Sequence, residues 1–121
     1  EALRVLTVYG NPRVCVLSNS RPVYPIGVIT GELVYPSKTT LEDAYRKLSD
    51  RFWLIDATSA ALAMGNPVLS NIVMIGALAQ SNLLPINRRM FEKEIRKTLA
   101  KDKFDANMMA FDEGAAMLQA K

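Results

Sequence analysis

The stretch RVCVLS, residues 13–18, decides the fold. Its Val-Cys-Val-Leu centre is nearly continuously apolar, which is typical of a strand buried on both faces of a parallel sheet. A second apolar run, FWLI at residues 52–55, predicts another strand that ends at Asp56. Between the two strands, one apolar stripe has helical spacing and consists of Leu41, Ala44, Tyr45 and Leu48. This order of strand, helix and strand favours an α/β fold with a parallel sheet.

The segment that follows the first predicted strand is rich in proline and glycine. Residues 19–31 are predicted to form a long loop with a short extended piece at residues 28–29. Residues 33–35 predict a short strand. Thr39 and Glu42 have the spacing of a capping box, in which a hydroxyl and a carboxylate satisfy free amides of the first turn. The helix before the second strand is therefore predicted to start there.

The remainder of the chain is predicted to be helical. Five further helices are expected, at residues 1–9, residues 57–64, residues 69–82, after a cap at Asn87, and from about residue 105. Gly76 lies inside the third of these helices and costs roughly 1 kcal/mol relative to Ala, so close approach of another helix is the expected reason for it. Met108 and Met109 cannot both face one core, and one of them is predicted to mark a subunit contact.

Size and charge limit the possible functions. A chain of 121 residues is predicted to be a single domain, residues 1–121. The net charge of +3 is a mild excess, and acidic residues interrupt the basic ones between residues 88 and 103, as on a solvated helix face. We therefore predict no nucleic-acid partner, whereas an anionic ligand or an acidic protein partner is compatible. The most apolar stretch, residues 67–85, is short for a bilayer and is interrupted by polar residues, so no membrane association is predicted.

The chain has one cysteine, Cys15, and no histidine. A single cysteine excludes an internal disulfide, and no cysteine cluster is present for zinc or iron–sulfur ligation. A reducing cytoplasm fits this composition. Without histidine the chain lacks the commonest general base, so a Ser–His or Cys–His pair cannot be built from it and a small hydrolase is disfavoured. We predict no catalytic residue and no metal ligand in this chain.

The candidate ligand-binding residues follow the two predicted strands, where open parallel sheets bind their ligands. Asn19 and Arg21 follow the first strand, and Arg21 can hold a phosphate or carboxylate with its guanidinium or can simply pack over the neighbouring prolines. Asp56 and Thr58 follow the second strand. Asp56 can bind a ligand hydroxyl or pair with Arg21, but an N-cap for the next helix is the favoured interpretation.

Two asparagines near a helix start complete the set of candidates. Asn66 and Asn71 lie where amides of a helix N-terminus can receive an anion. Asn66 also suits a turn before Pro67, which is the favoured interpretation. Asn71 interrupts an apolar helix and needs a hydrogen-bond partner if it is buried, whether that partner is a loop, a ligand or another subunit.

Residues 65–114 read GNPVLSNIVMIGALAQSNLLPINRRMFEKEIRKTLAKDKFDANMMAFDEG. Together with SNSRPVYP at residues 18–25, YPS at residues 35–37 and the Asp-Ala-Thr turn at residues 56–58, this order of motifs resembles the gamma subunit, or gamma domain, of 2-oxoacid:ferredoxin oxidoreductases. The resemblance covers nearly the whole chain. The pyruvate, indolepyruvate and 2-oxoglutarate branches of the family are equally compatible with it.

The resemblance implies a Rossmann-like parallel sheet flanked by helices. It also implies a non-catalytic component of an oxidoreductase, with alpha, beta and ferredoxin-like subunits or domains as partners and ferredoxin as an indirect one. Thiamine diphosphate and iron–sulfur clusters are then expected on those partners, with coenzyme A as a possible substrate, because cofactors do the redox chemistry while the protein positions it. The alternative function is a stand-alone nucleotide- or acyl-binding module that joins no oxidoreductase.

One departure from the family pattern concerns glycine. Members of the family that this chain resembles open with a glycine-rich strand-turn-helix of the form Gly-x-Gly-Gly-Gln-Gly. This chain has no such segment, since its six glycines never cluster. The expectation is therefore a C-terminal portion of a gamma domain that lacks its N-terminal glycine-rich strand-turn-helix. A sheet without its first strand exposes an edge, so the isolated chain is predicted to self-associate, through the edge of residues 13–18 and the apolar side of the first helix.

Overall fold

A computed structural model describes all of residues 1–121. Its elements, in chain order, are α1 (Ala2–Tyr9), β1 (Cys15–Asn19), α2 (Ile26–Ile29), α3 (Lys38–Leu48), β2 (Arg51–Ile55), α4 (Ala57–Ala63), a 3₁₀ helix (Pro67–Leu69), α5 (Ser70–Gln80), α6 (Arg88–Thr98) and α7 (Lys101–Gln119). The two strands pair in parallel, from Cys15 beside Arg51 to Asn19 beside Ile55. The predicted α/β class is confirmed: a small parallel sheet is flanked by helices.

Helices cover both faces of the sheet. On one face α3 packs on β2, where the rings of Tyr45 and Phe52 stack with centroids 5.4 Å apart. On the other face Leu17 and Trp53 pack against a buried cluster that contains Ile55 of β2 and residues of α5 and α7. Successive strand residues thus face opposite helical layers, as the alternation of a pleated strand requires.

The main core lies between α5 and α7. Val73 and Ala77 of α5 are fully buried, and Met108 and Phe111 of α7 are nearly so. Helices this close need small residues, because a Cβ atom on Gly76 would overlap the carbonyl group of Phe111. Gly114 of α7 has the reciprocal relation to the backbone of Val73. The close helix approach expected from Gly76 is therefore confirmed.

The predicted double-sided burial of the first strand is wrong. All five residues of β1 are only half-buried, because each strand of a two-stranded sheet is an edge strand. Cys15 shares this intermediate burial. Residues 28–29 are not extended but belong to the single turn of α2, and residues 33–35 form no strand. Instead, the Leu33 amide donates to the Gly27 carbonyl oxygen at 2.8 Å and folds the segment back on itself.

The starts of the helices match the predictions only in part. The Asn87 side chain caps α6 by accepting from the Met90 amide at 3.0 Å, as predicted. The prediction of a capping box that starts at Thr39 is wrong. The N-cap of α3 is Ser37, whose Oγ accepts a hydrogen bond from the Thr40 amide at 3.2 Å. The last helix begins at Lys101, four residues before the predicted start near residue 105. No helix is both long and apolar enough to span a bilayer.

Candidate functional site

The carboxyl ends of β1 and β2 meet at one edge of the sheet, and a short hydrogen-bond network joins them there. The Asn19 Nδ2 donates to the Thr58 Oγ1 at 2.7 Å, and the Asn19 Oδ1 accepts from the Arg21 amide at 3.3 Å. The Ser20 amide donates to the Ile55 carbonyl oxygen at 2.8 Å. Through Asn19, these hydrogen bonds tie the loop that carries Arg21 to the buried Thr58 at the start of α4.

Asp56 is the N-cap of α4. Its Oδ1 accepts from the Ser59 amide at 3.0 Å, and hydrogen bonds from Ser59 hold the pKa of the Asp56 carboxyl below its ordinary value. Asp56 borders the same shallow depression as Arg21 and Thr58, but no ion pair joins Asp56 to Arg21. The favoured interpretation of Asp56 as a cap is confirmed.

A larger cleft opens beside this network, on the side of the sheet that faces α3. Its volume is about 720 Å³. Asn19, Arg21 and Thr58 line it, and Ser18 and Ser70 also contribute hydroxyl groups. The lining further includes residues of α3 and of the segment before it, namely Tyr35, Lys38, Leu41 and Tyr45. The cleft therefore combines donors and aromatic rings at the edge where a parallel sheet binds ligands.

Positive charge prevails at the cleft. The guanidinium of Arg21 makes no ion pair, and Lys38 approaches Glu42 only to 3.9 Å. Glu1 also borders the cleft, but it accepts a hydrogen bond from Arg4 at 2.8 Å, which lowers its pKa. An anionic ligand is the chemical class that this arrangement favours.

Comparison with known proteins identifies the family. The sequence profile of the family described as "Pyruvate ferredoxin/flavodoxin oxidoreductase" matches residues 9–117. The chain belongs to this family. The resemblance to 2-oxoacid:ferredoxin oxidoreductases is thereby confirmed.

Curated relatives of this chain are named as subunits. The chain is 35% identical over 118 residues to "Indolepyruvate oxidoreductase subunit IorB" of Pyrococcus horikoshii, and 32% identical over 115 residues to the protein of the same name from Thermococcus kodakarensis. Each alignment covers 94% of this chain and 56% of the relative. The chain thus spans about half the length of the curated relatives it matches. No solved structure matches it.

The donor set of this family member does not fit an iron–sulfur cluster. Such clusters need several thiolates, and Cys15 is the single cysteine, half-buried within β1. No group of three or more acidic, cysteine or histidine side chains is placed to hold a metal ion.

Two of the predicted site residues lie apart from the cleft. Asn66 is the N-cap of the 3₁₀ helix, where its Oδ1 accepts from the Val68 amide at 3.1 Å. Asn71 is exposed on α5 and makes no side-chain hydrogen bond, so the question of a buried partner does not arise. The structure brings Asn19, Arg21 and Thr58 together at the cleft, and Asp56 borders the neighbouring shallow depression with Arg21 and Thr58. The role of these residues in binding stays a prediction.

The aromatic side chains of the cleft were not predicted from the sequence. Tyr24 and Tyr35 both line the cleft, and their rings meet edge to face with centroids 4.8 Å apart. Both lie in motifs that carry the family resemblance, at residues 18–25 and 35–37, and this was the available signal. Lys38 follows the second motif directly. No local pattern predicts that residues eleven positions apart, outside regular structure, should touch.

Proposed function

We propose that this chain forms part of a subunit of a 2-oxoacid:ferredoxin oxidoreductase. The complete enzyme would decarboxylate a 2-oxoacid oxidatively. The bond to the carboxylate breaks and carbon dioxide leaves, the acyl group forms a thioester with the sulfur of coenzyme A as the thiol proton is released, and the two electrons pass one at a time to ferredoxin. The observation that carries the proposal is the family match over residues 9–117. The subunit names of the relatives support it.

In this proposal the redox chemistry belongs to companion subunits. Thiamine diphosphate would supply the electron sink for decarboxylation, and iron–sulfur clusters would carry the electrons. This chain would contribute binding and positioning, next to alpha, beta and ferredoxin-like subunits or domains. The single cysteine and the absence of histidine in the sequence agree with that division of labour. A cytoplasmic location stays a prediction.

The cleft is the proposed ligand site of the chain. Coenzyme A carries phosphates, which Arg21 and Lys38 can attract, and an adenine ring, for which Tyr24 and Tyr35 offer aromatic surface. Asn19 would act indirectly, because it fixes the backbone of Arg21 relative to Thr58.

The proposed 2-oxoacid is indolepyruvate. Support comes from the relatives, three of which carry that substrate in their names at 28–35% identity. Pyruvate and 2-oxoglutarate are the competing substrates of the proposal.

The assembly can be tested by purifying the chain from its own cells through an affinity tag. We expect a thiamine-diphosphate-binding polypeptide to co-purify, with thiamine and iron in fixed ratio to the complex. A chain that purifies alone as a monomer and binds nucleotide would instead support the stand-alone binding module.

The ligand site can be tested with Arg21→Gln in the purified complex. Removing a charge-assisted contact to phosphate is expected to weaken coenzyme A binding by roughly ten- to hundredfold, since such hydrogen bonds contribute about 1.5–3 kcal/mol. Asn71→Ala is the matched control, because Asn71 is exposed and lies outside the cleft. Calorimetric titration measures both. Equal affinities of wild type and Arg21→Gln would exclude the cleft as the site.

A further inference from the structure

We propose that the segment of residues 21–37, here called the cleft loop, is the docking element for the companion catalytic subunit. The proposal rests on the proposed function and adds to it the surface through which the chain joins the enzyme. The cleft loop joins β1 to α3 and forms one rim of the cleft.

The cleft loop exposes a dense set of large apolar side chains. We define the apolar patch as the six of them with their exposed fractions: Val23 67%, Tyr24 51%, Ile26 80%, Ile29 73%, Leu33 60% and Val34 93%. Single exposed apolar residues are ordinary on a protein surface, but six of them within twelve consecutive residues of one loop indicate an interaction site.

The patch is held in shape by contacts inside the cleft loop. The edge-to-face contact of Tyr24 with Tyr35 closes its two ends. The Leu33 side chain folds over Gly27, where a Cβ atom would lie 2.8 Å from the Leu33 Cδ1. Compact loops whose ends meet and whose own side chains pack inside them are frequently functional. The exposed side chains are thus presented by a preorganised loop, which lowers the ordering cost of binding.

Exposure and charge fit a protein partner. Each of the six residues of the apolar patch is more than half exposed, so a partner can bury them without disturbing the core of the chain. Within residues 22–37 Glu32 is the single charged residue, and charge is depleted in the same way at the centres of interfaces. Arg21 and Lys38 flank the patch in sequence. The complementary partner would present an apolar face with acidic residues at its rim.

The companion subunit fits these features better than a second copy of the chain. Two copies that meet through the same patch would bring two Arg21 and two Lys38 side chains together on chains of net charge +3. Val23, Tyr24 and Tyr35 line the cleft as well as belonging to the cleft loop. A subunit seated on the patch would therefore close the cleft over a bound ligand.

The test uses the complex, purified through a tag on the companion subunit from cells that produce both chains. Ile26→Asp combined with Val34→Asp is expected to reduce the amount of this chain that co-purifies by at least about tenfold, because each aspartate would bury an unpaired charge. The matched control is Val68→Asp combined with Met90→Asp, at positions 72% and 51% exposed on the 3₁₀ helix and α6. The control should co-purify like wild type.

A second measurement covers the case in which the patch variant fails to fold. Amide hydrogen exchange at residues 26–34 of the wild-type chain should slow by at least about tenfold in the complex relative to the free chain. Unchanged exchange there, or undiminished co-purification of a folded patch variant, would overturn the proposal. Light scattering of the free chain tests whether a second copy, and not the companion subunit, occupies the patch. A dimer that the patch variant abolishes would assign the patch to a second copy. A wild-type chain that co-purifies with no subunit would refute the proposed function itself.

Discussion

Asn19 connects three parts of the candidate site through one amide side chain. It ends β1, donates to the hydroxyl of Thr58 at the start of α4, and accepts from the amide of Arg21. Thr58 is 8% exposed, so its hydroxyl cannot exchange this partner freely for water. At the residue scale, the site is therefore built on a half-buried polar network that must be satisfied to be stable.

Removing the Thr58 hydroxyl tests this network. Thr58→Val keeps the side-chain shape but leaves the Asn19 Nδ2 without its partner, and should lower the free energy of unfolding by about 1–2 kcal/mol. Thr98→Val makes the same chemical change at an exposed position of α6 and should cost less than about 0.5 kcal/mol. Urea unfolding measures both variants. An equal cost at the two positions would mean that the network adds nothing to stability.

The cap at Asp56 predicts a dependence on pH. Asp56→Ala should lower the free energy of unfolding by about 1 kcal/mol at pH 7, because the Ser59 amide loses its acceptor. The Asp56 pKa is lower in the folded chain than its ordinary value of 3.8, so the ionised cap stabilises the fold above that value. Its charge-dependent contribution is lost as the pH falls through the folded-state pKa.

Urea unfolding between pH 7 and pH 3 checks this sign. The gap between wild type and Asp56→Ala should narrow below pH 3.8. Asp56→Asn is the control, since asparagine caps helices about as well as aspartate and does not titrate. A gap that widens toward low pH would contradict the assignment of Asp56 as an ionised cap.

At the element scale, the α5–α7 pair packs against one face of the sheet. Gly76 and Gly114 let the two backbones meet, and the packed pair lies against the face of the sheet that carries Trp53 and Ile55. Gly76→Ala is expected to separate the helices and lower the free energy of unfolding by about 2 kcal/mol, net of the helix propensity that alanine restores. Thermal unfolding is the measurement.

Asn71→Ala is the matched control for Gly76, because it changes an exposed residue of the same helix. Its effect should stay within about 0.5 kcal/mol. A Gly76→Ala chain as stable as this control would show that the helices can move apart at little cost.

The elements that were predictable from sequence are those with a strong local pattern. Both strands, the stripe of α3 and the glycine of α5 follow from hydrophobic periodicity and residue size. The cap of α3 was misplaced because Ser37, Thr39 and Thr40 offer three hydroxyls within four residues, and Ser37 hydrogen-bonds to both threonines. Spacing alone cannot choose among them.

Part of the candidate site was predictable from the order of the strands. Asn19, Arg21, Asp56 and Thr58 follow parallel strands, and topology alone brings them to one edge. The cleft loop was not predictable, because its shape depends on the contact of Tyr24 with Tyr35 and not on any repeat in the sequence.

At the scale of the whole molecule, the sheet has two strands and two open edges. A strand edge with unpaired backbone groups tends to find a partner. The apolar side chains Val5 and Val8 of α1 are exposed at 48% and 72%, away from the cleft loop. Self-association of the isolated chain therefore stays a prediction, separate from docking of the companion subunit through the apolar patch.

We propose that this chain works inside a 2-oxoacid:ferredoxin oxidoreductase. The most direct measurement is 2-oxoacid-dependent reduction of ferredoxin, with coenzyme A present, by companion subunits assayed with and without this chain. We expect reduction that requires the chain and is faster with indolepyruvate than with pyruvate or 2-oxoglutarate. A rate that is unchanged by omission of the chain, with all three substrates, would contradict the account.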